Sequence, residues 1–389
     1  MAQSPEAQTD PNSLAGFKLL ERFCEVLKPL DQRRTKDPRE LDPRRKFDAA
    51  GYFSMMLFTL INPVIGTVRG LCEISKSERY QEKTGLPQIG LSTFSHAQEV
   101  FSPDVLRGVL RELIATRRSE LPADLRKKLG PVSIEAIDST IWAALSRMDW
   151  TPWRDQYSSR QKALRMHLRW RLFDNGGCVD AVVTPGRECE RRTLRHNLLE
   201  PGVIYVGDRY YSGDYTLLER IGEVDASFIV RLQDMTVIHE LEELPLSPED
   251  KQAGITRHVR VALGHRGAKD LGWRIVRLEL PNRTPITLLT NVSHEQLTPR
   301  DVCNIYRQRW AIEGFFRWIK CILPCRHWLA ESQSGVTIQI YCALIAAMLL
   351  SARLGKLPTK RQMEALRWWM LGWYSDEQVI KALGLTKKS

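Results

Sequence analysis

The residues best suited to chemistry cluster in one stretch, Tyr306-Arg-Gln-Arg309-Trp-Ala-Ile-Glu313-Gly-Phe-Phe-Arg317-Trp-Ile-Lys320. At the helical period of about 100° per residue, Tyr306, Arg309, Glu313 and Lys320 fall at roughly 0°, 300°, 340° and 320°. They share one narrow face. Ile305, Ile312, Phe315, Phe316 and Ile319 fill an adjoining apolar sector, as in a helix packed on a core with its polar stripe turned to a cleft. Between Arg300 and Ala330 six bases (Arg300, Arg307, Arg309, Arg317, Lys320, Arg326) stand against two acids (Asp301, Glu313). A lone carboxylate among phosphate-seeking side chains points to metal-assisted chemistry on a polyanion.

Two further acids could join it. Val132-Ser-Ile-Glu-Ala-Ile-Asp138 reads as a strand ending in an acid, and Val203-Ile-Tyr-Val-Gly-Asp208 as a second. Parallel neighbours in an open sheet bring such ends to one edge, where a helix laid across it would add Glu313. Three carboxylates make a hard, all-oxygen donor set suited to Mg²⁺ or Mn²⁺ rather than zinc. Two such ions about 3.5–4 Å apart activate the attacking oxygen and stabilise the leaving oxygen of a phosphodiester. In a chain with 46 acidic residues, an acid after each of two strands is common, so the helix motif carries more weight.

The elements that position these residues read as mixed α/β. Residues 1–46 form a polar arm with basic clusters at Arg33-Arg34 and Arg44-Arg45-Lys46, better read as a solvated end than as a phosphate contact. Residues 47–128 are helical, with Ser102-Pro103 opening one helix, and form a DNA-binding domain or a plain bundle, Leu91 to Gln98 being the candidate DNA-reading piece. A core begins at 129 and runs to 232. In it Leu164 to Leu172 alternates, placing Arg165, His167, Arg169 and Arg171 on one side. Asn175-Gly-Gly then turns the chain into Cys178–Thr184, a hairpin. His167 and Arg169 would line a DNA channel or simply face solvent. Residues 233–285 read as an inserted β subdomain, with Glu240-Leu-Glu-Glu and Pro248-Glu-Asp as solvated loop and Trp273 as a candidate for stacking on an unpaired base. Trp310 and Trp318 read as packing residues. Residues 286–355 resume the core, where Thr298-Pro-Arg-Asp opens the helix bearing Glu313, and 356–389 form a basic helical tail.

With 389 residues, 43% hydrophobic and a formal charge of +11, the chain can bury a large core and favours an anionic partner. Its eight cysteines lack the paired spacing of a zinc ribbon or disulfide scaffold. Cys321, Cys325 and His327 find no second pair to complete four ligands, and packing is the better reading. Met-Ala-Gln-Ser-Pro-Glu lacks the sections of a secretory signal, and the apolar run Val336–Leu350, broken by Thr337 and Gln339, falls short of the roughly 20 residues of a membrane span. A cytoplasmic protein with no membrane partner is expected.

Tyr306-x2-Arg309-x3-Glu313-x6-Lys320 resembles the signature of bacterial insertion-sequence DDE transposases of the insertion-sequence-four group. Ile137-Asp138-Ser139-Thr140 is similar to that family's first acidic motif and Val206-Gly207-Asp208-Arg209-Tyr210-Tyr211 to its second, with Tyr210 where a glycine is common. The resemblance spans roughly residues 130–350 and implies a ribonuclease H-like fold in which Asp138, Asp208 and Glu313 are catalytic and hold two Mg²⁺ or Mn²⁺ ions. It implies that Tyr306, Arg309 and Lys320 grip transposon-end DNA, and Arg317, Arg209, His167 and Arg169 are the further residues expected at the DNA. The implied partners are double-stranded DNA, as terminal inverted repeats and as target, and a second copy in a dimer. Cut-and-paste transposition, with a hairpin on the excised end, is the implied activity. The alternatives are a nuclease or resolvase of the same fold without strand transfer, and a degenerate transposase that only binds DNA.

Overall fold

The computed structural model describes residues 16–34, 36–62, 64–117, 121–151, 153–154, 161–173, 176–264, 269–322 and 328–385. They form two compact units, one taking the chain up to Arg117, Ala143–Lys162 and the chain from Arg317, the other Arg118–Trp142 and Ala163–Phe316. Helices α1 (Gly16–Arg33), α2 (Ala49–Ile61), α3 (Val68–Ile74), α4 (Glu78–Thr84), α5 (Leu91–Ala97) and α6 (Asp104–Ala115) open the first unit. The second holds α7 (Ala123–Leu129), β1 (Ser133–Ala143), and, after β2 (Trp153–Arg154) in the first unit, β3 (Gln161–Arg171), β4 (Gly177–Pro185), α8 (Glu190–Asn197), β5 (Val203–Gly207), α9 (Tyr215–Glu223) and β6 (Ser227–Arg231). It continues through β7 (Ile238–Glu243), α10 (Pro248–Gln252), β8 (Ile255–Leu263), β9 (Arg274–Leu278), β10 (Ile286–Thr290) and α11 (Pro299–Gln308) into α12 (Trp310–Ile322). Helices α13 (Gln333–Leu354), α14 (Lys360–Met370) and α15 (Asp376–Leu383) return to the first unit.

Across the second unit the strand order is β3-β1-β5-β6-β10-β9-β8-β7, with β4 also paired to β3. β1, β5 and β6 run parallel, and β3/β4 is the antiparallel hairpin read from the sequence. Its turn residue Asn175 lies outside the described residues. Two expectations need correction. β1 does not end at Asp138 but runs on to Ala143, because Thr140, Ile141 and Trp142 continue a β-favouring run. Nor do residues 233–285 form a separate subdomain. β9 pairs with β10 and β8 with β9, so the segment extends the main sheet. Glu240-Leu-Glu-Glu is strand rather than loop, its acids meeting bases across the ladder: Glu240 with Arg257 at 2.5 Å and Glu242 with Arg260 at 3.0 Å. Pro248-Glu-Asp opens α10 under a capping box from Ser247.

In the first unit α13 packs against α1, α2 and α6. It is long and apolar enough to cross a bilayer, yet nearly all of it is buried, as read from its Thr337 and Gln339. It therefore belongs with the N-terminal helices and not with the second part of the core. The polar-arm expectation for 1–46 is also corrected, since α1 buries Phe23 and Leu27 completely. Arg34 of the first basic cluster is held by Asp31 and Glu40.

The most demanding packing in the sheet is electrostatic. Arg169 on β3 is fully buried; its Nε donates to Glu135 Oε2 at 2.7 Å, Nη1 to Leu198 O at 2.9 Å and Nη2 to Glu200 Oε2 at 2.9 Å. Removing one partner of such a pair strands a buried charge, a loss of about 3–5 kcal/mol. Arg169→Met is therefore expected to lower the urea-unfolding stability by about that amount, against less than about 1 kcal/mol for Arg220→Met in the exposed pair with Glu223. Equal losses in the two variants would show that the buried network is not what secures β3.

Candidate active site

The parallel register pairs Ala136 with Val206, so Asp138 and Asp208 each lie two residues beyond the last paired couple and on the same face of the sheet. Asp138 Oδ1 accepts the Ser139 N–H at 2.7 Å, and Asp208 Oδ1 the Tyr210 N–H at 2.8 Å. Tyr210 takes an ordinary right-handed helical conformation (φ −64, ψ −36), which is why this turn accepts a residue other than glycine. Burial pushes the Asp138 carboxyl up to about 7, the neighbouring Asp208 and Glu190 charges adding to the shift while the Ser139 N–H and Arg309 oppose it.

Glu313 does not ride on one unbroken helix with Tyr306. The capping box of Thr298 with Asp301 opens α11 as read from the sequence, but α11 ends at Gln308 and Glu313 lies in the first turn of α12. Around Arg309 the backbone bonds tighten to three-residue steps, Arg309 N to Tyr306 O at 3.0 Å and Ile312 N to Arg309 O at 3.1 Å. Neither proline nor glycine marks this step, so the residue pattern gave no warning of it.

Arg309, only 7% exposed, reaches both sides of the site. Its Nη2 donates to Glu313 Oε1 at 2.7 Å and its Nη1 lies 3.5 Å from Asp138 Oδ2. Its guanidinium lies 5.9 Å from the centre of the half-buried Tyr306 ring and 5.7 Å from that of Trp310, and its buried Nε has no acceptor among the described residues. Two of the three acids thus share one cation, and the third acts electrostatically on the first. Among the described residues no three His, Cys, Asp or Glu side chains are grouped closely enough to hold a metal ion. The donor set fits a hard divalent ion by its chemistry: carboxylates only, with Asp138 made harder to ionise by burial and by its acidic neighbours.

Arg209 is exposed beside Asp208. Arg317 and Lys320, further along α12 in the stretch belonging to the first unit, are exposed too. His167 and Arg169 are corrected: both are buried, at 3% and 0% exposure, because the face they occupy on β3 is covered. Arg169 is taken up by Glu135 and Glu200, and His167 Nε2 by the Thr184 hydroxyl at 2.9 Å. Trp273 is also buried, edge-on to Phe228 at 5.6 Å, and cannot stack on a base. Trp310, read as a packing residue, is instead 61% exposed. Cys321 is exposed, while Cys325 and His327 lie outside the described residues.

Sequence reasoning missed Glu190 and Tyr211. Glu190 accepts from Arg165 Nη1 and, at 3.3 Å, from the Tyr211 hydroxyl. Tyr211 is buried, and burial together with Glu190, Asp138 and Asp208 holds its phenol well above the usual range. The available signal was the row of bases on β3, which needed acids from elsewhere once buried.

The chain matches the family described as "Transposase DDE domain" over residues 132–349, more than half its length and a stretch containing all three acids. It belongs to the DDE transposases. A Geobacillus stearothermophilus protein named as a transposase for insertion sequence element IS5377 is 26% identical over 277 residues, 68% of each chain. The protein named as transposase y4zB of Sinorhizobium fredii is 25% identical, over 64% of this chain and 69% of its own. A solved piggyBac transposase synaptic complex with hairpin DNA aligns with 100% of this chain and 85% of its own at 10% identity, with a TM-score of 0.41. In the transposase the central order β4-β3-β1-β5-β6, antiparallel and then parallel, is ribonuclease H-like, and the protein is an enzyme acting on DNA.

The buried His167 gives the transposase an acid sensitivity. Burial, aided by the Arg165 charge, lowers its folded pKa from 6.5 to about 3, so between those values the unfolded chain binds the extra proton. The stability His167 contributes is complete above pH 6.5 and falls by roughly 1.4 kcal/mol per pH unit as pH drops toward the folded value. His167→Gln should accordingly gain on the wild type in thermal unfolding between pH 7 and pH 5. A difference that stays constant over that range would mean that the imidazole is not held neutral.

Proposed function

We propose that this transposase works by cut and paste, cleaving the phosphodiester at each transposon end and joining the freed 3′-hydroxyl to target DNA. What supports this most is Arg309 shared between Asp138 and Glu313, with Asp208 acting on Asp138 from the adjacent strand. One guanidinium thereby links acids from two separate segments, and a third acid is near enough to act on the first through its charge. Asp138, Asp208 and Glu313 would hold Mg²⁺ or Mn²⁺, which when bound supply Lewis-acid activation of the attacking oxygen and stabilisation of the leaving one.

The chain's own groups then have distinct tasks. The planar fork of Arg309 would suit two-point contact with a phosphate once its carboxylate partners hold the ions, and the Tyr306 ring beside it limits where the guanidinium can swing. Lys320 and Arg317, exposed along α12, and Arg209, exposed beside Asp208, take further phosphates as point or forked charges. In the first displacement water attacks phosphorus and the transposon's 3′-oxygen leaves as a 3′-hydroxyl; in the second that 3′-hydroxyl attacks a target phosphate, the target's own 3′-oxygen leaves as a free 3′-hydroxyl, and the target strand held through the 5′-oxygen becomes joined to the transposon end. The DNA partners are terminal inverted repeats and target duplex, and a second copy completes the assembly on paired ends.

Purified protein incubated with end DNA, target DNA and Mg²⁺ should yield joined product; hydrolysis with no joining would identify a nuclease or resolvase instead. Asp138→Ala, Asp208→Ala and Glu313→Ala should each reduce cleavage by at least about a thousandfold, on the scale of losing an essential catalytic group, while end binding largely survives. Full cleavage by any of the three removes that residue from the site. Loss of Lys320 should flatten the salt dependence of DNA binding by about one phosphate contact, and an unchanged slope would take it off the DNA.

A further inference from the structure

The two aspartates stand on different strands, yet a single side chain outside the three acids ties their neighbourhoods together. Glu190 begins α8, directly after the connection from β4. Its Oε1 accepts from Arg165 Nη1, and the same Nη1 donates to the Ser139 hydroxyl at 2.9 Å. Ser139 follows Asp138 in β1, and its N–H is the one bonded to Asp138 Oδ1. The other oxygen of Glu190 accepts from the Tyr211 hydroxyl at 3.3 Å. Tyr211 belongs to the turn after β5, where its N–H bonds to Asp208 O at 3.3 Å. The Tyr211 ring also lies so close to Gly207 that a Cβ there would come within 2.9 Å of it, which fixes the ring against the residue preceding Asp208. Arg165 is anchored in turn by its Nε on Gly186 O at 3.2 Å. The Arg165 and Glu190 side chains are only 13% and 17% exposed, so the connection is made largely out of water, where charge-assisted bonds hold geometry best.

We infer that Glu190 is a positioning residue: through Arg165 and Ser139 on one side and Tyr211 on the other, it sets the separation of Asp138 and Asp208 to that required for shared ion binding. This builds on the roles proposed above for those aspartates. Both Glu190 oxygens are already engaged by protein donors, so its part is to orient the ligands and not to bind the ion. A partner that orients ligands in this way typically changes metal affinity by 10–100-fold when removed.

The test is Mn²⁺ binding, by calorimetry, and end cleavage across a Mn²⁺ titration, with Glu190→Ala, Glu190→Gln, Tyr211→Phe and Asp138→Ala compared after thermal unfolding has confirmed that each is folded. Glu190→Ala should bind the same number of ions about 10–100-fold more weakly, and raising Mn²⁺ should restore much of its cleavage. Glu190→Gln, which keeps the shape and one acceptor oxygen, should lie between Glu190→Ala and wild type. Tyr211→Phe, which removes only the hydroxyl, should weaken binding less than Glu190→Ala and serves as the measure should that variant fail to fold. The inference is overturned if Glu190→Ala and Tyr211→Phe bind Mn²⁺ as wild type does. It is equally overturned if Glu190→Ala loses an ion outright and no Mn²⁺ concentration restores cleavage, since Glu190 would then be a ligand. Should Asp138→Ala itself bind Mn²⁺ and cleave normally, the site assignment fails first and the positioning role with it. Asp138→Ala failing while Glu190→Ala is normal sinks the positioning role alone.

Discussion

Like charges have to be brought together in a place where water cannot screen them. Asp208 and Glu190 both act on Asp138 within the second unit, and such a group is tolerable in a fold only when bases are built in at matching depth. Arg309 answers Asp138 and Glu313, Arg165 answers Glu190, and Arg169 answers Glu135 and Glu200. The hairpin β3/β4 and the step between α11 and α12 deliver those bases, and the turn into α8 brings Glu190 to meet one of them. Hydrophobic packing, from Leu217 and Phe228 to Leu289, holds the sheet; the ion pairs decide where along it the acids can stand.

The parts of this arrangement visible in the residues were those set by local periodicity. The two acid-bearing strands, the alternation of β3 and the shared face of Arg309 and Glu313 depend on near neighbours in sequence, and they are present. What sequence left open was what covers each face. Alternation separated Arg165, His167 and Arg169 from the apolar residues of β3 but could not say that their side was buried too, because the covering Glu135, Glu190 and Glu200 come from other segments. The same limit explains Trp273 and Trp310, whose burial is decided by distant partners and came out opposite to their hydropathic surroundings.

Strand pairing was the second blind spot. A run of charged, β-favouring segments between 233 and 285 has the same pattern whether it folds on itself or extends an existing sheet; the choice rests on β10 pairing both with β6 and with β9. Helix α13 shows the equivalent for helices: its apolarity on all sides predicted burial correctly but not the company, which proved to be α1, α2 and α6. The 3₁₀ step at Arg309 had no residue marker at all and arises where the chain must serve a core on one side and two carboxylates on the other.

Among the described residues the extended sheet ends at β7, whose Ile238–Glu243 backbone has no further strand beside it in the sheet order. Such a rim invites the same rim of another molecule to add on, the first step toward aggregation. Here Glu243 and the ion pairs of Glu240 with Arg257 and Glu242 with Arg260 stud it, so an approaching strand would have to strip water from a row of charged side chains. A chain that enlarges its sheet by three strands thereby carries charge along the new rim, the feature by which natural edge strands discourage further pairing.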